Sequence, residues 1–381
     1  MSITQQQTKI ALMLPGGGAR GSYQVGVMKG IMQLLDDKNG KNKTPFSIIT
    51  GTSAGAINAV VLASYANDLA HGTARLEQFW TQLHCSDIYR TDAWMISKTL
   101  LKTLASLLFG RFGVKAPKSL LDNTPLRLYL TKQLHLSQIN KHIENSILTG
   151  VAITASSYDT SVAKSFFQAH ESIQEWSRTR RFGVREEINV AHILASTALP
   201  FLFPAQLVGN EYYGDGGLRM SAPLSPSIHL GADKILVIGT RDESPIPAPE
   251  QTSEFPSMGE LGGYMLDTIF MDTLIADISR LHRINNTLDL VDSDKRHKTR
   301  LKKIQTLVIK PSVDVRNITE EHAKDIPKPV QNLLKIIGGW GKDWRMPSYL
   351  LFEPSYTKAL IELGYQDALR QKQDIRSFIN S

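Results

Sequence analysis

Ser53 lies in the pentapeptide Gly51-Thr52-Ser53-Ala54-Gly55, which fits the pattern G-x-S-x-G. A serine at a sharp turn between a strand and a helix can present its hydroxyl for attack on a carbonyl carbon. Gly51 and Gly55 remove side chains that would crowd the turn, and a helix starting behind the serine favours negative charge developing there. Gly16-Gly17-Gly18-Ala19-Arg20-Gly21 adds a second feature. Consecutive glycines let backbone N–H groups converge on one small volume, as an oxyanion hole or a phosphate cradle requires. Asp215-Gly216-Gly217 is the third. On its own a carboxylate before two glycines reads as a turn, but an exposed serine needs a base. The ten histidines are scattered, and His192 and His229 read as structural or surface residues.

The glycine string also satisfies G-x-G-x-x-G, the dinucleotide fingerprint. That reading expects an acidic residue at the end of the next strand, about 20 residues on, to hold a ribose. Here Asp36 and Asp37 close a helix and open a polar loop, while the next strand runs into Thr50-Gly51.

The elements that must position these groups follow from the pattern. Ile10 to Leu14 reads as a buried strand feeding the glycine turn, and Tyr23 to Leu35 has helical apolar spacing. After the polar loop Asp36 to Pro45, Phe46 to Thr50 is a strand entering the Ser53 turn, and Ala56 to Ala66 is a small-residue buried helix. Two strand–glycine turn–helix units in 66 residues argue for an α/β fold with a mostly parallel central sheet. Further strands are expected at Ile147 to Thr154, Ala163 to Gln168, Tyr212 to Gly217, Lys234 to Gly239 and Ile304 to Ile309. Helices are expected at Glu187 to Ser196, at about Tyr264 to Leu290 and near the C-terminus. Arg241 to Gly263, rich in Pro, Ser and Glu, reads as an exposed loop or linker.

The chain has 381 residues, 42% hydrophobic and 21% charged, with a formal net charge of +7. That is ordinary globular composition with length for one large or two smaller domains. The positive bias is mild for a nucleic-acid binder and no arginine-rich arm is present; an anionic membrane surface or substrate suits it better. Cys85 is the single cysteine, so no intrachain disulfide forms, and a reducing, cytoplasmic setting fits. The Gln-rich start, Met1 to Lys9, does not resemble a signal peptide. No stretch approaches the roughly 18 apolar residues that span a bilayer, so membrane contact is expected to be peripheral.

Taken together, the glycine loop, the serine elbow and the Asp-Gly-Gly resemble the patatin-like phospholipase family, of the bacterial type. Further echoes are Asp122-Asn123-Thr124-Pro125-Leu126, Ala195-Ser196-Thr197-Ala198-Leu199-Pro200, Pro223-Leu224 and Gly231-Ala232-Asp233. The resemblance spans about residues 8–240 and implies a three-layer α/β/α patatin-like fold. It implies a Ser-Asp dyad, with Ser53 as nucleophile and Asp215 as proton acceptor. Gly16, Gly17, Gly18 and Gly21 then belong to the oxyanion loop, and Arg20 orients that loop or meets a phosphate. Gly216 and Gly217 complete the third motif. No metal or other cofactor is implied, and the expected partner is a lipid substrate at a membrane surface. The expected organisation is a catalytic domain at 8–240, a linker at 241–263 and an α-rich extension with one strand at 264–381. Two alternatives remain at this point: a Ser-His-Asp α/β-hydrolase, whose partners meet in space rather than in sequence, and a non-catalytic nucleotide-binding module.

Three features bear on substrate delivery. Met95 to Phe109 places Ile96, Leu100, Leu101, Leu104, Leu107 and Leu108 on one helical face with Lys98 and Lys102 opposite. Such a helix lies in a membrane interface or covers the core. Lys295 to Lys303, with His297 and Arg300, is basic enough to meet anionic headgroups or to be a solvated loop. Trp340 and Trp344 suit either an interface or core packing.

Overall fold

The computed structural model describes residues 8–39, 44–109, 115, 117–242, 255–292, 295–299 and 301–381. Outside it lie Met1 to Gln7, residues 40–43 of the polar loop, residues 243–254 of the linker, and Arg300. The side chains of Asp36, Asp37, Leu104, Leu107, Leu108 and His297 also fall outside the described set.

Among the described residues ten strands form one sheet: Ile10–Leu14 (β1), Phe46–Thr52 (β2), Gly150–Ser157 (β3), Ala163–Ala169 (β4), Trp176–Arg178 (β5), Arg181–Arg185 (β6), Gln206–Val208 (β7), Glu211–Asp215 (β8), Lys234–Ile238 (β9) and Gln305–Ile309 (β10). Their order is β10-β9-β1-β2-β3-β4-β6-β5, with β8 also paired to β3 and β7 to β8. The five strands β10, β9, β1, β2 and β3 run parallel; β4 and β8 are antiparallel to β3. β1, β3 and β9 are buried at every position. This is why β1, and β9 after Lys234, read as unbroken apolar runs rather than as alternating ones.

The alternation of side chains along β2 separates the layers. Gly51 faces the helix Ala54–Ser64 (labelled α2, following α1 at Ser22–Asn39), against Ala59. Thr50 points the other way, and its hydroxyl lies 2.8 Å from that of Ser227 in the short helix Ser225–His229. Helices therefore cover both faces, and the fold is a three-layer α/β/α arrangement with a mostly parallel sheet.

The C-terminal residues share this framework. β10 adds a parallel strand to β9, and the helix Pro354–Arg370 packs along α1. There the Tyr23 hydroxyl donates to Asp367 Oδ2 at 3.0 Å. A continuous helical stretch runs from Met258 to Leu290, interrupted by a π-helical turn at Thr268–Asp272. It begins inside the stretch read from sequence as a linker ending at Gly263. Ser257 caps it through a reciprocal pair of bonds with Glu260, a capping box that outweighs Gly259, Gly262 and Gly263. Among the described residues, no helix is long and apolar enough to cross a membrane.

Candidate active site

β2 delivers the serine. The strand ends at Thr52 and α2 begins at Ala54, so Ser53 alone makes the turn, with φ 55° and ψ −129°. A non-glycine residue at positive φ is strained by about 1–3 kcal/mol and persists only where its surroundings hold it. Here the Ser53 N–H donates to Ser196 Oγ at 2.9 Å, and Ser196 Oγ donates onward to the Thr154 carbonyl at 2.6 Å. Every residue of α2 is buried, so the positive end of its dipole acts on Ser53 in a poorly solvated setting. Gly51 is the next-to-last residue of β2, and Gly55 lies in the first turn of α2.

Asp215 ends β8 and has no exposed surface. Its N–H donates to the Ala198 carbonyl at 2.8 Å. Oδ1 accepts the Gly217 N–H at 2.9 Å, within the 3-10 turn Gly216–Leu218. Oδ2 is buried with no partner at full hydrogen-bond geometry. Burial pushes the Asp215 carboxyl up to about 7, opposed by hydrogen bonding from the Ser53 hydroxyl and the Gly217 N–H. The segment Ala195–Pro200 thus holds both groups: Ser196 fixes the Ser53 backbone and Ala198 the Asp215 backbone.

The glycine loop passes over the serine. A β-carbon on Gly16 would stand 2.9 Å from Ser53 Cβ and would run into the Phe270 ring. Gly18 has φ 56°, and a side chain there would collide with the Tyr349 carbonyl, so only glycine fits both the conformation and the space. The loop is pinned from several sides. Thr240 Oγ1 donates to the Gly16 carbonyl at 2.8 Å, and Gln24 Nε2 donates to the Pro15 carbonyl at 2.9 Å. Asn58 Nδ2 donates to the Gly21 carbonyl at 3.0 Å and is itself oriented by the Trp80 indole at 2.8 Å. Among the described residues, the N–H groups of Gly17 and Gly18 have no acceptor.

Arg20 is buried within the protein rather than offered to a ligand. Its guanidinium donates to Asp267 Oδ1 at 3.0 Å and to Ser348 Oγ at 2.6 and 2.9 Å, and it lies 4.0 Å from the Tyr349 ring centroid. Burial works against ionisation of Asp267, yet Arg20, the Tyr349 hydroxyl, Arg241 and Arg345 hold its carboxyl below the usual range. These contacts tie the glycine loop to Asp267 and Ser348.

Beside Ser53 lies a narrow cavity of about 30 Å³, lined by apolar groups such as Ile57, Phe79, Leu126, Leu199, Phe203 and Phe352. Phe270, on the π-helical turn, covers Gly16 and Gly217 on the other side. Such turns recur at functional positions in helices.

The histidines stand elsewhere. His192 bonds to Glu186 at 3.0 Å, and His229 bonds to the Ser225 carbonyl and stacks on Trp176 at 4.8 Å. Among the described residues none hydrogen-bonds Ser53 or Asp215. In the basic stretch, Lys295, Lys302 and Lys303 pair with Asp292, Asp233 and Asp289. The helix Ala93–Phe109 buries Ile96, but Leu101, grouped with it in the sequence, is 66% exposed. Trp340 and Trp344 pack edge to face at 5.4 Å. Ser196 lay within a segment visible in the sequence. Gln24, Asn58, Thr240, Asp267, Phe270, Ser348 and Tyr349 had no motif to mark them.

A family model described as Patatin-like phospholipase matches residues 12–228. No curated protein matches the chain in sequence. Among solved structures the chain is similar to VipD from Legionella pneumophila, human GIVD cytosolic phospholipase A2 bound to methyl gamma-linolenyl fluorophosphonate, and the type III effector protein ExoU. VipD is 13% identical, with 97% of this chain and 67% of VipD covered at a TM-score of 0.37. For the human enzyme the figures are 12%, 98%, 59% and 0.44, and for ExoU 14%, 99%, 54% and 0.38. The chain thus spans between 54% and 67% of the length of these proteins.

Proposed function

The chain belongs to the patatin-like phospholipase family, and from that premise we propose that it hydrolyses fatty-acyl esters of lipids through Ser53 and Asp215. In this reading Asp215 takes the Ser53 hydroxyl proton as Oγ bonds to the ester carbonyl carbon. The N–H groups of Gly17 and Gly18 receive the oxyanion. Collapse breaks the ester C–O bond; the leaving alcohol takes the proton from Asp215, and the acyl group stays on Ser53. Water then gives a proton to Asp215 and its oxygen to the acyl carbon, and the second collapse returns the proton to Ser53 and frees the fatty acid. The apolar lining beside Ser53 matches an acyl chain in chemistry, and the chain would have to part these side chains to enter.

The observation that carries this reading is Asp215. A wholly buried carboxylate, lifted to about 7 and sensing the Ser53 hydroxyl, has the proton affinity that a base working near neutral pH requires. A fluorophosphonate probe tests it. The chain should be labelled at Ser53 and hydrolyse acyl esters, and Ser53→Ala should lose both while unfolding at the same temperature. Labelling or hydrolysis that survives in Ser53→Ala would overturn the assignment. A histidine substitution as damaging to the acylation step as Asp215→Asn would replace the dyad by a triad.

A further inference from the structure

An open groove of about 690 Å³ lies against the loop that follows Asp215, with Gly217 in its wall. Among the described residues its charged lining is Arg180, Arg181, Arg219 and Arg280, with no carboxylate. The four arginines come from separate elements: the β5–β6 turn and the start of β6, the turn after Asp215, and the helix Thr273–Leu290. Arg280 pairs with Asp277 Oδ1 at 2.8 Å, Arg181 also acts on that carboxylate through space, and the other Asp277 oxygen accepts the Leu224 N–H. Among the described residues Arg180 and Arg219 make no ion pair, and Arg181 Nε is buried with no hydrogen-bond partner. Arg180 also sits at φ 59° at the tip of its turn, a left-handed conformation unfavourable for its type. Gathering four like charges around one carboxylate opposes folding. A bound anion would offset it, and the planar guanidinium fork matches phosphate oxygens.

We propose that this groove binds the phosphate of a phosphomonoester headgroup on the lipid whose acyl ester stands at Ser53. The proposal rests on the Ser53–Asp215 reading for its orientation. Gly217 donates its N–H to Asp215 and also walls the groove, so an occupant there lies beside the reacting group. A phosphomonoester carries about −1.5 to −2 near neutral pH, against a net local charge of three positives. A choline headgroup would instead set a cation among the arginines.

Binding of the Ser53→Ala chain to vesicles tests this independently of hydrolysis, so its outcome is separate from that of the dyad. The vesicles are phosphatidylcholine alone, phosphatidylcholine with phosphatidic acid, and phosphatidylcholine with phosphatidylserine at equal surface charge. Tightest binding to phosphatidic acid is expected. The further double change Arg180→Asn and Arg219→Gln should weaken that binding by about tenfold or more, equal to about 1.4 kcal/mol. It should also erase the preference over phosphatidylserine. Asn suits the left-handed turn, and an unchanged melting temperature shows that the double variant is folded. Equal binding to the two anionic surfaces would assign the arginines to general electrostatics and overturn the proposal, as would undiminished binding by the double variant. Inorganic phosphate that binds the chain without any preference for phosphatidic acid would assign the groove to a free phosphate and overturn the lipid source.

Discussion

A carboxyl with no exposed surface takes up its proton at a pH where an ordinary aspartate is fully charged, and for Asp215 this has two measurable consequences. If Asp215 is the base, kcat/KM for a neutral acyl ester rises with pH and levels off above about 7, since only the ionised form accepts the Ser53 proton. A rate that is flat between pH 5 and 8 would remove Asp215 from that role. The same shift bears on stability. The folded chain holds the proton up to about pH 7, whereas the unfolded chain releases it near 3.8. Between those values folding takes up a proton, so this contribution is present at low pH and is lost as pH rises toward 7. At pH 8 Asp215→Asn should recover part of the loss, with a ceiling of about 4 kcal/mol. Denaturant unfolding of both proteins at pH 5 and pH 8 measures it, and the difference between them should shrink at pH 5. Ser53 and Asp215 were legible because each sits in a short string of small residues with a chemical reason for its form. Ser196, Asn58 and Thr240 were not: what gives each its place is a hydrogen bond across the fold, and serine, asparagine and threonine are common everywhere.

The elements around the site depend on one another through Arg20. The glycine loop lies between β1 and α1, but its arginine is bound by Asp267 on the π-interrupted helix and by Ser348 and Tyr349 near the C-terminus. Replacing Arg20 by Met keeps the bulk and removes the charge, leaving Asp267 with Arg345 as its nearest cation at 3.2 Å. A loss of about 3 kcal/mol in unfolding free energy is expected, the low end for breaking a buried pair, and urea titration reads it. If the dyad reading holds, kcat falls as well, because the loop that presents Gly17 and Gly18 loosens. Local pattern decided how well each element could be read. β1, β2 and β9 carry strong apolar runs and were placed within two residues. β3 was expected from Ile147, but the N–H groups of Ile147 and Leu148 both turn back to the His142 carbonyl, and pairing starts at Gly150. The helix expected from Glu187 starts at Val190, because Asn189 accepts the Ala191 N–H and caps it. β5 and β6 went unread, since their half-exposed faces carry arginines instead of a clear period of two.

Across the whole molecule, the sequence resemblance and the packing draw different boundaries. The family pattern ends near residue 228, while the sheet's last parallel strand, the helix on α1 and the partners of Arg20 all lie beyond 263. We therefore expect a chain cut after residue 240 to lack cooperative unfolding: it would bare the β9 edge and the α1 face that buries Tyr23 and Val27. Thermal unfolding followed by circular dichroism distinguishes this from an independent 8–240 domain, which would melt in one sharp transition. That dependence was out of reach of the sequence, because Arg20 and Ser348 are 328 positions apart and nothing local links them. The separation acts in time as well as in space. At 5–20 residues per second, a ribosome needs roughly twenty seconds to a minute to travel from the Arg20 codon to that of Ser348. Throughout that interval the nascent glycine loop has no Ser348 or Tyr349 to hold it. If the loop works as proposed, the newborn chain is inert toward the membranes around it, and its activity begins only once Ser348 and Tyr349 have been made.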